Sequence, residues 1–127
     1  MGEVETIQVR SELDIISARR RVRDLARAVG LNPTDQARIS LAASSLAHVI
    51  ELGGKYQGKI YIGSLDGPDM GVWVVCAMHC PDIEGKIETF KPKALKDVRW
   101  MVDELDIESL PPEDVRITLI KRMADHS

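Results

Sequence analysis

The stretch from Asn32 to Ile50 constrains the fold more than any other part of the chain. Ile39, Ala42, Ala43, Leu46, Val49 and Ile50 recur at helical spacing, and the run S-L-A-A-S-S-L-A among them carries no charge. A helix with so broad an apolar face must bury most of its surface against something flat, and a β-sheet is the natural partner. Asn32-Pro33-Thr34 opens this helix, because proline is tolerated in the first turn and the oxygen of Asn32 or Thr34 can cap free amides. Gly53-Gly54 is expected to end it.

The other elements follow from period and punctuation. Val4, Ile7 and Val9 alternate imperfectly with Glu5, Thr6 and Gln8, which predicts a short strand. Ser11 with Asp14 forms a capping-box-like pair. Ile15, Ala18, Val22, Leu25, Ala26 and Val29 then keep helical spacing up to Gly30, a residue suited to a left-handed C-cap. Gly58–Gly63 and Gly71–Ala77 read as two strands joined through Asp66-Gly67-Pro68-Asp69, a hairpin. From Cys80 to Pro92 periodicity is lost. Leu95, Val98, Met101 or Trp100, Val102 and Leu105 predict a third helix, punctuated at its exit by Pro111-Pro112, and Val115, Ile117 and Leu119 alternate in a last strand.

The order strand, helix, helix, hairpin, helix, strand, without internal repeats, points to an α+β fold. We expect a two-layer α/β sandwich with helices on one face of a mixed, mostly antiparallel sheet, formed by residues 1–127 as one domain. A chain of this length buries enough surface to fold without disulfides or a structural metal. Phosphate-binding glycine patterns of the dinucleotide and Walker types are absent from the sequence.

Charge and cysteine usage narrow the function. Lys and Arg number 17 against 20 Asp and Glu, a net charge of −3, so the chain has no general attraction for phosphate backbones and nucleic acid is not an expected partner. It has no apolar run long enough to span a bilayer, and its acidic start, M-G-E-V-E-T, lacks the pattern of a secretory signal, so a cytoplasmic location is expected. Cys76, His79 and Cys80 in C-A-M-H-C could supply three metal ligands, but the spacing is wider than C-x-x-C and no second cluster completes a zinc site. Two reduced thiols at a strand end are the better reading, and no metal is expected.

Three stretches carry a resemblance to a known family: S-E-L-D-I-I-S-A-R-R-R-V-R-D-L-A from Ser11, T-D-Q-A-R-I-S-L-A-A-S-S-L-A-H-V-I from Thr34, and L-K-D-V-R-W-M-V-D-E-L-D-I-E-S from Leu95. Together they span almost the whole chain. The sequence resembles the anti-sigma regulatory factors and serine/threonine switch kinases, a branch of the histidine kinase-like ATPase (GHKL, Bergerat) fold. T-D-Q-A-R-I is its most specific part.

The resemblance implies an ATP site, and this sequence departs from its pattern at each motif. The family helix S-E-L-A-x-N, in which the glutamate helps activate the attacking hydroxyl and the asparagine holds magnesium, matches Ser44–Val49 here. Ser45 stands for the glutamate and Val49 for the asparagine, and neither can take over the role. His48 is a neighbour, and Glu51, six residues beyond Ser45, lies on another face about 9 Å along the helix. The family motif D-x-G-x-G, whose aspartate reads adenine, falls on the strand end, where Val75 takes the aspartate position and only Asp82 and Gly85 follow. A valine cannot accept that hydrogen bond. Of a glycine-rich lid only Gly85 remains, and a glycine-threonine pair is matched by Asp114 and Val115.

The reading that accounts for these changes is a degenerate regulator that acts by protein binding in a bacterial partner-switching pathway, with no cofactor. What the resemblance implies as partner is a sigma factor, a STAS-domain antagonist or a PP2C-type phosphatase, and it leaves a homodimer open. Arg20, Arg23 and Arg27, at helical spacing on the first helix, are the partner-binding candidates, because arginine suits desolvated contact with acidic surfaces. The plainer alternative is a solvated charged face, with Asp24 among them. The competing function is an active serine/threonine protein kinase that uses Mg-ATP on a STAS-domain antagonist.

Overall fold

The computed structural model describes residues 4–67, 70–79, 92–110 and 114–123. Its elements are β1 (Glu5–Val9), α1 (Glu12–Val29), α2 (Pro33–Val49), β2 (Gly58–Leu65), β3 (Gly71–His79), α3 (Pro92–Met101), β4 (Glu104–Leu110) and β5 (Asp114–Arg122). The strands form one five-stranded sheet in the order β1-β2-β3-β5-β4, and all four pairings are antiparallel. Helices pack on one face, as the charge-poor second helix requires.

Helix ends follow local chemistry. The Asp14 carboxylate accepts the amides of Arg10 at 2.8 Å and Ser11 at 3.2 Å, which holds the first turn of α1. Gly30, at φ +105°, ends α1 by donating its amide to the carbonyls of Ala26 and Arg27. Asn32 caps α2 by accepting the Asp35 amide at 2.8 Å.

Two boundaries differ from the sequence reading. Helix α2 ends at Val49, four residues before the Gly53-Gly54 pair, and the left-handed position beyond it is filled by Glu51 at φ +58°. Gly53 serves a different need: at φ +82° its Cβ would lie 2.8 Å from the Cγ1 of Val9. The third helix stops at Met101, so Leu105 belongs to β4, a strand the sequence reading folded into the helix. Val98, Met101, Val102 and Leu105 sit at helical spacing. Leu105 and Ile107, however, also alternate with acids, and pairing with Leu119 and Ile117 of β5 selects the strand.

The core lies between the layers. Val9, Ile60, Ile62, Val72, Val74, Cys76, Ile117 and Leu119 line the helix-facing side of the sheet, and Ile15, Val22, Ile39, Leu46, Ile50 and Val98 meet them from the helices. Leu25 and Val29, read from the sequence as core, are only partly buried and flank it.

Candidate functional site

Helix α2 carries two sites at opposite ends. At its N-terminus, Asp35 is 5% exposed. Lys121 Nζ lies 3.6 Å from its Oδ1 and 3.2 Å from Oδ1 of Asp103, and Arg38 Nη1 approaches Asp35 at 3.7 Å. Asp103 Oδ2 also accepts the Arg122 amide at 2.6 Å. A nearly buried carboxylate is tolerable only with such compensation, so this cluster fixes α2 to β5 and to the α3–β4 turn. The motif T-D-Q-A-R-I is thereby structural at its aspartate, and the sequence reading had no signal for its partner Lys121, 86 positions away in the numbering of the chain.

Ser45 and Val49 lie near the other end, both half-buried. A rise of about 1.5 Å per residue separates Asp35 from Val49 by about 21 Å. His48 Nε2 turns toward α1 and meets Glu12 Oε1 at 2.8 Å and Oε2 at 3.0 Å. Beside this pair is a hollow of about 330 Å³ lined by Ile15, Glu51, Leu52 and Lys55 as well.

The end of β3 does not bring the expected positions together. Val72, Val74, Cys76 and Met78 are buried toward the helices, whereas Val75 is half-buried on the opposite face of the sheet. Val75 therefore does not share a site with Ser45 and Val49. The helix-facing positions at this strand end are Cys76 and Met78, which offer no carboxylate. Val115 is buried, and Asp114, paired with His79 in the sheet register, has its Oδ1 3.1 Å from the His79 Nδ1. Asp82 and Gly85 lie outside the described residues.

The C-A-M-H-C triplet is split in the same way. Burial pushes the Cys76 thiol up to about 12. His79 is exposed and, three positions along the strand, points to the other face, and Cys80 lies outside the described residues. Among the described residues no group of three His, Cys, Asp or Glu could hold a metal ion. Among them, too, no helix is long and apolar enough to cross a membrane.

Arg20, Arg23 and Arg27 are all exposed on α1. Arg27 Nη2 reaches Asp24 Oδ1 at 2.9 Å, and among the described residues no carboxylate pairs with Arg20 or Arg23. Leu13 and Ile16 continue this stripe and are 75% and 50% exposed. The sequence reading missed them, although the spacing 13, 16, 20, 23, 27 is that of one helix face.

No family model matches the chain. It is, however, 31% identical to the serine/threonine-protein kinase RsbT of Bacillus subtilis (strain 168), over an alignment of 133 positions that covers 95% of this chain and 98% of the relative. The chain belongs to the RsbT family. The alignment runs nearly end to end in both chains, so the likeness is not confined to one segment.

Proposed function

We propose that this RsbT-family chain works in partner switching as a protein-binding regulator and does not use ATP. The observation that carries the reading is Val49, with Ser45 one turn before it, on the helix where the family resemblance calls for a magnesium-holding asparagine and a catalytic glutamate. An isopropyl group cannot coordinate a hard cation, and a serine hydroxyl is no general base near neutral pH. Two further points support it. Cys76 and Met78 give the helix-facing end of β3 no acceptor for an adenine amino group, and His48 is engaged by Glu12 instead of facing a nucleotide. Asp114 adds a carboxylate at a phosphate-facing position of the family, with its Oδ1 3.1 Å from His79 Nδ1. The partner surface is the α1 stripe of Arg20, Arg23 and Arg27, and its partner is a sigma factor, a STAS-domain antagonist or a PP2C-type phosphatase.

The RsbT relative is a serine/threonine-protein kinase, which favours a second reading, a kinase that phosphorylates a STAS-domain antagonist. Thermal unfolding with and without Mg-ATP separates the two. A ligand at about 100 times its dissociation constant adds about 2.7 kcal/mol to stability. We expect no shift at millimolar nucleotide. A clear shift, or micromolar affinity by calorimetry, would overturn the ATP-independent reading and favour the kinase.

A further inference from the structure

Helices cover one face of the sheet, and the other face has an apolar centre. Solvent-facing positions of such a sheet are ordinarily polar. Here Tyr61, Trp73, Val75 and Ile120 are only half-exposed on that face. Register places Val75 beside Tyr61, and Trp73 between Gly63 and Ile120. The Trp73 indole lies across Gly63, where a Cβ would fall within the ring, so the missing side chain sets the ring's place. Two hollows of about 270 and 380 Å³ adjoin there and share Tyr61, Ala77 and Arg116.

The charges around this trough are ordered. Lys59 and Arg116 lie in one row across the strands, on either side of Ala77, with Glu108 next to Arg116 in the register, and among the described residues neither cation forms an ion pair with a carboxylate. Glu104, Asp106 and Glu108 occupy the same face on β4, at the sheet edge, and do not line the hollows; Asp114 lines the larger one, with its Oδ1 3.1 Å from His79 Nδ1.

We propose that this trough docks an extended acidic and apolar segment of a partner protein. An aliphatic or aromatic side chain seats against Trp73 and Tyr61, and a carboxylate meets Lys59 and Arg116. Charge complementarity favours this occupant over a second copy of the chain. With the copies centred on the middle strand, a two-fold axis along β3 would set Lys59 against Arg116 of the copy, and one across the strands would set the β4 carboxylates against each other. The surface lies on the opposite layer from α1, so it stands independently of the arginine stripe.

The test uses the full chain with Trp100→Phe, which leaves Trp73 as the sole indole of the two tryptophans. The probes are the amidated peptides Glu-Val-Asp-Phe-Glu-Leu and Lys-Val-Lys-Phe-Lys-Leu. The acidic peptide should give a saturable shift of indole emission and the basic one none. Lys59→Glu/Arg116→Glu, still folded by circular dichroism, should weaken the response about tenfold or more. Equal response to the basic peptide, binding unaffected by the charge reversal, or no response up to the solubility limit would overturn the proposal. So would self-association in sedimentation that Val75→Asp abolishes, which would assign the face to a second copy. Neither nucleotide nor an α1 partner is present in this assay, so its failure leaves the proposed function standing.

Discussion

Nε2 of His48 lies 2.8 Å from Oε1 of Glu12, which ties the last turn of α2 to the first turn of α1. Glu12 also sits near the N-terminus of its helix, where a carboxylate is favoured. Both side chains are about half-exposed, at 52% and 61%, so water and salt screen the pair. His48→Ala should therefore lower stability by no more than about 1 kcal/mol in urea unfolding. A loss several times larger would mean that the pair holds the two helices together.

Cys76 gives the chain an alkaline limit. Its folded thiol is pushed up to about 12 by burial, against 9.0 for an ordinary one. Above the unfolded value only the unfolded chain loses this proton, so the unfolded state gains as pH rises. Stability from this group is complete below pH 9.0 and should fall by about 1.4 kcal/mol per pH unit up to about 12. Denaturant unfolding of Cys76→Ala alongside the native chain isolates the slope, and identical slopes in the two would sink the prediction. At neutral pH a thiol reagent should reach Cys76 only on unfolding.

The cluster at Asp35 makes a sharper demand. Lys121→Met would keep most of the apolar stem and remove the ammonium 3.6 Å from a carboxylate that is 5% exposed. Arg38 at 3.7 Å would remain as a partial partner. The loss should be about 3 to 5 kcal/mol, near the lower end because of Arg38. Combining Lys121→Met with Asp35→Asn should recover part of it, since no uncompensated charge is then buried. Additive losses in that double mutant would show that the two groups do not interact.

Helices α1 and α2 were legible because their signals are local: Ser11 with Asp14, Gly30, and Asn32-Pro33 each act within a turn. The broad apolar face of α2 also announced the sheet beneath it. Strand β4 was not legible, since Leu105 satisfies helical and alternating spacing at once and only its distant partner Leu119 decides between them. The site was legible in type and not in placement. Ser45 and Val49 lie on α2 as expected, whereas strand parity sends Val75 to the face away from them, a one-residue matter that no motif alignment with gaps can fix.

That parity bears on a restoration experiment. Ser45→Glu/Val49→Asn would return the two family residues of α2. Activity should still be absent, because Cys76 and Met78 remain at the helix-facing end of β3 and no carboxylate there reads adenine. Transfer of labelled phosphate from ATP to a STAS-domain antagonist is the measurement. Robust transfer by the double mutant would show that adenine is read elsewhere, and that the α2 positions alone account for the proposed loss of ATP use.

The α1 stripe allows stability and binding to be separated. Arg20 and Arg23 have no carboxylate partner among the described residues, and the Arg27–Asp24 pair is 68% and 60% exposed, so Arg20→Glu/Arg23→Glu/Arg27→Glu removes little that holds the fold. Surface changes of this kind usually fall within about 0.5 kcal/mol each. Capture of a sigma factor, STAS-domain antagonist or PP2C-type phosphatase should nevertheless collapse, because attraction for an acidic surface becomes repulsion. Leu13 extends the same face and is 75% exposed, a poor place for leucine unless something covers it. Leu13→Asp should therefore leave the melting curve unchanged and weaken capture about tenfold, the loss expected when one apolar anchor is removed. If both variants stay folded and still capture the partner as the native chain does, the stripe is ordinary solvated surface and the contact lies on another face.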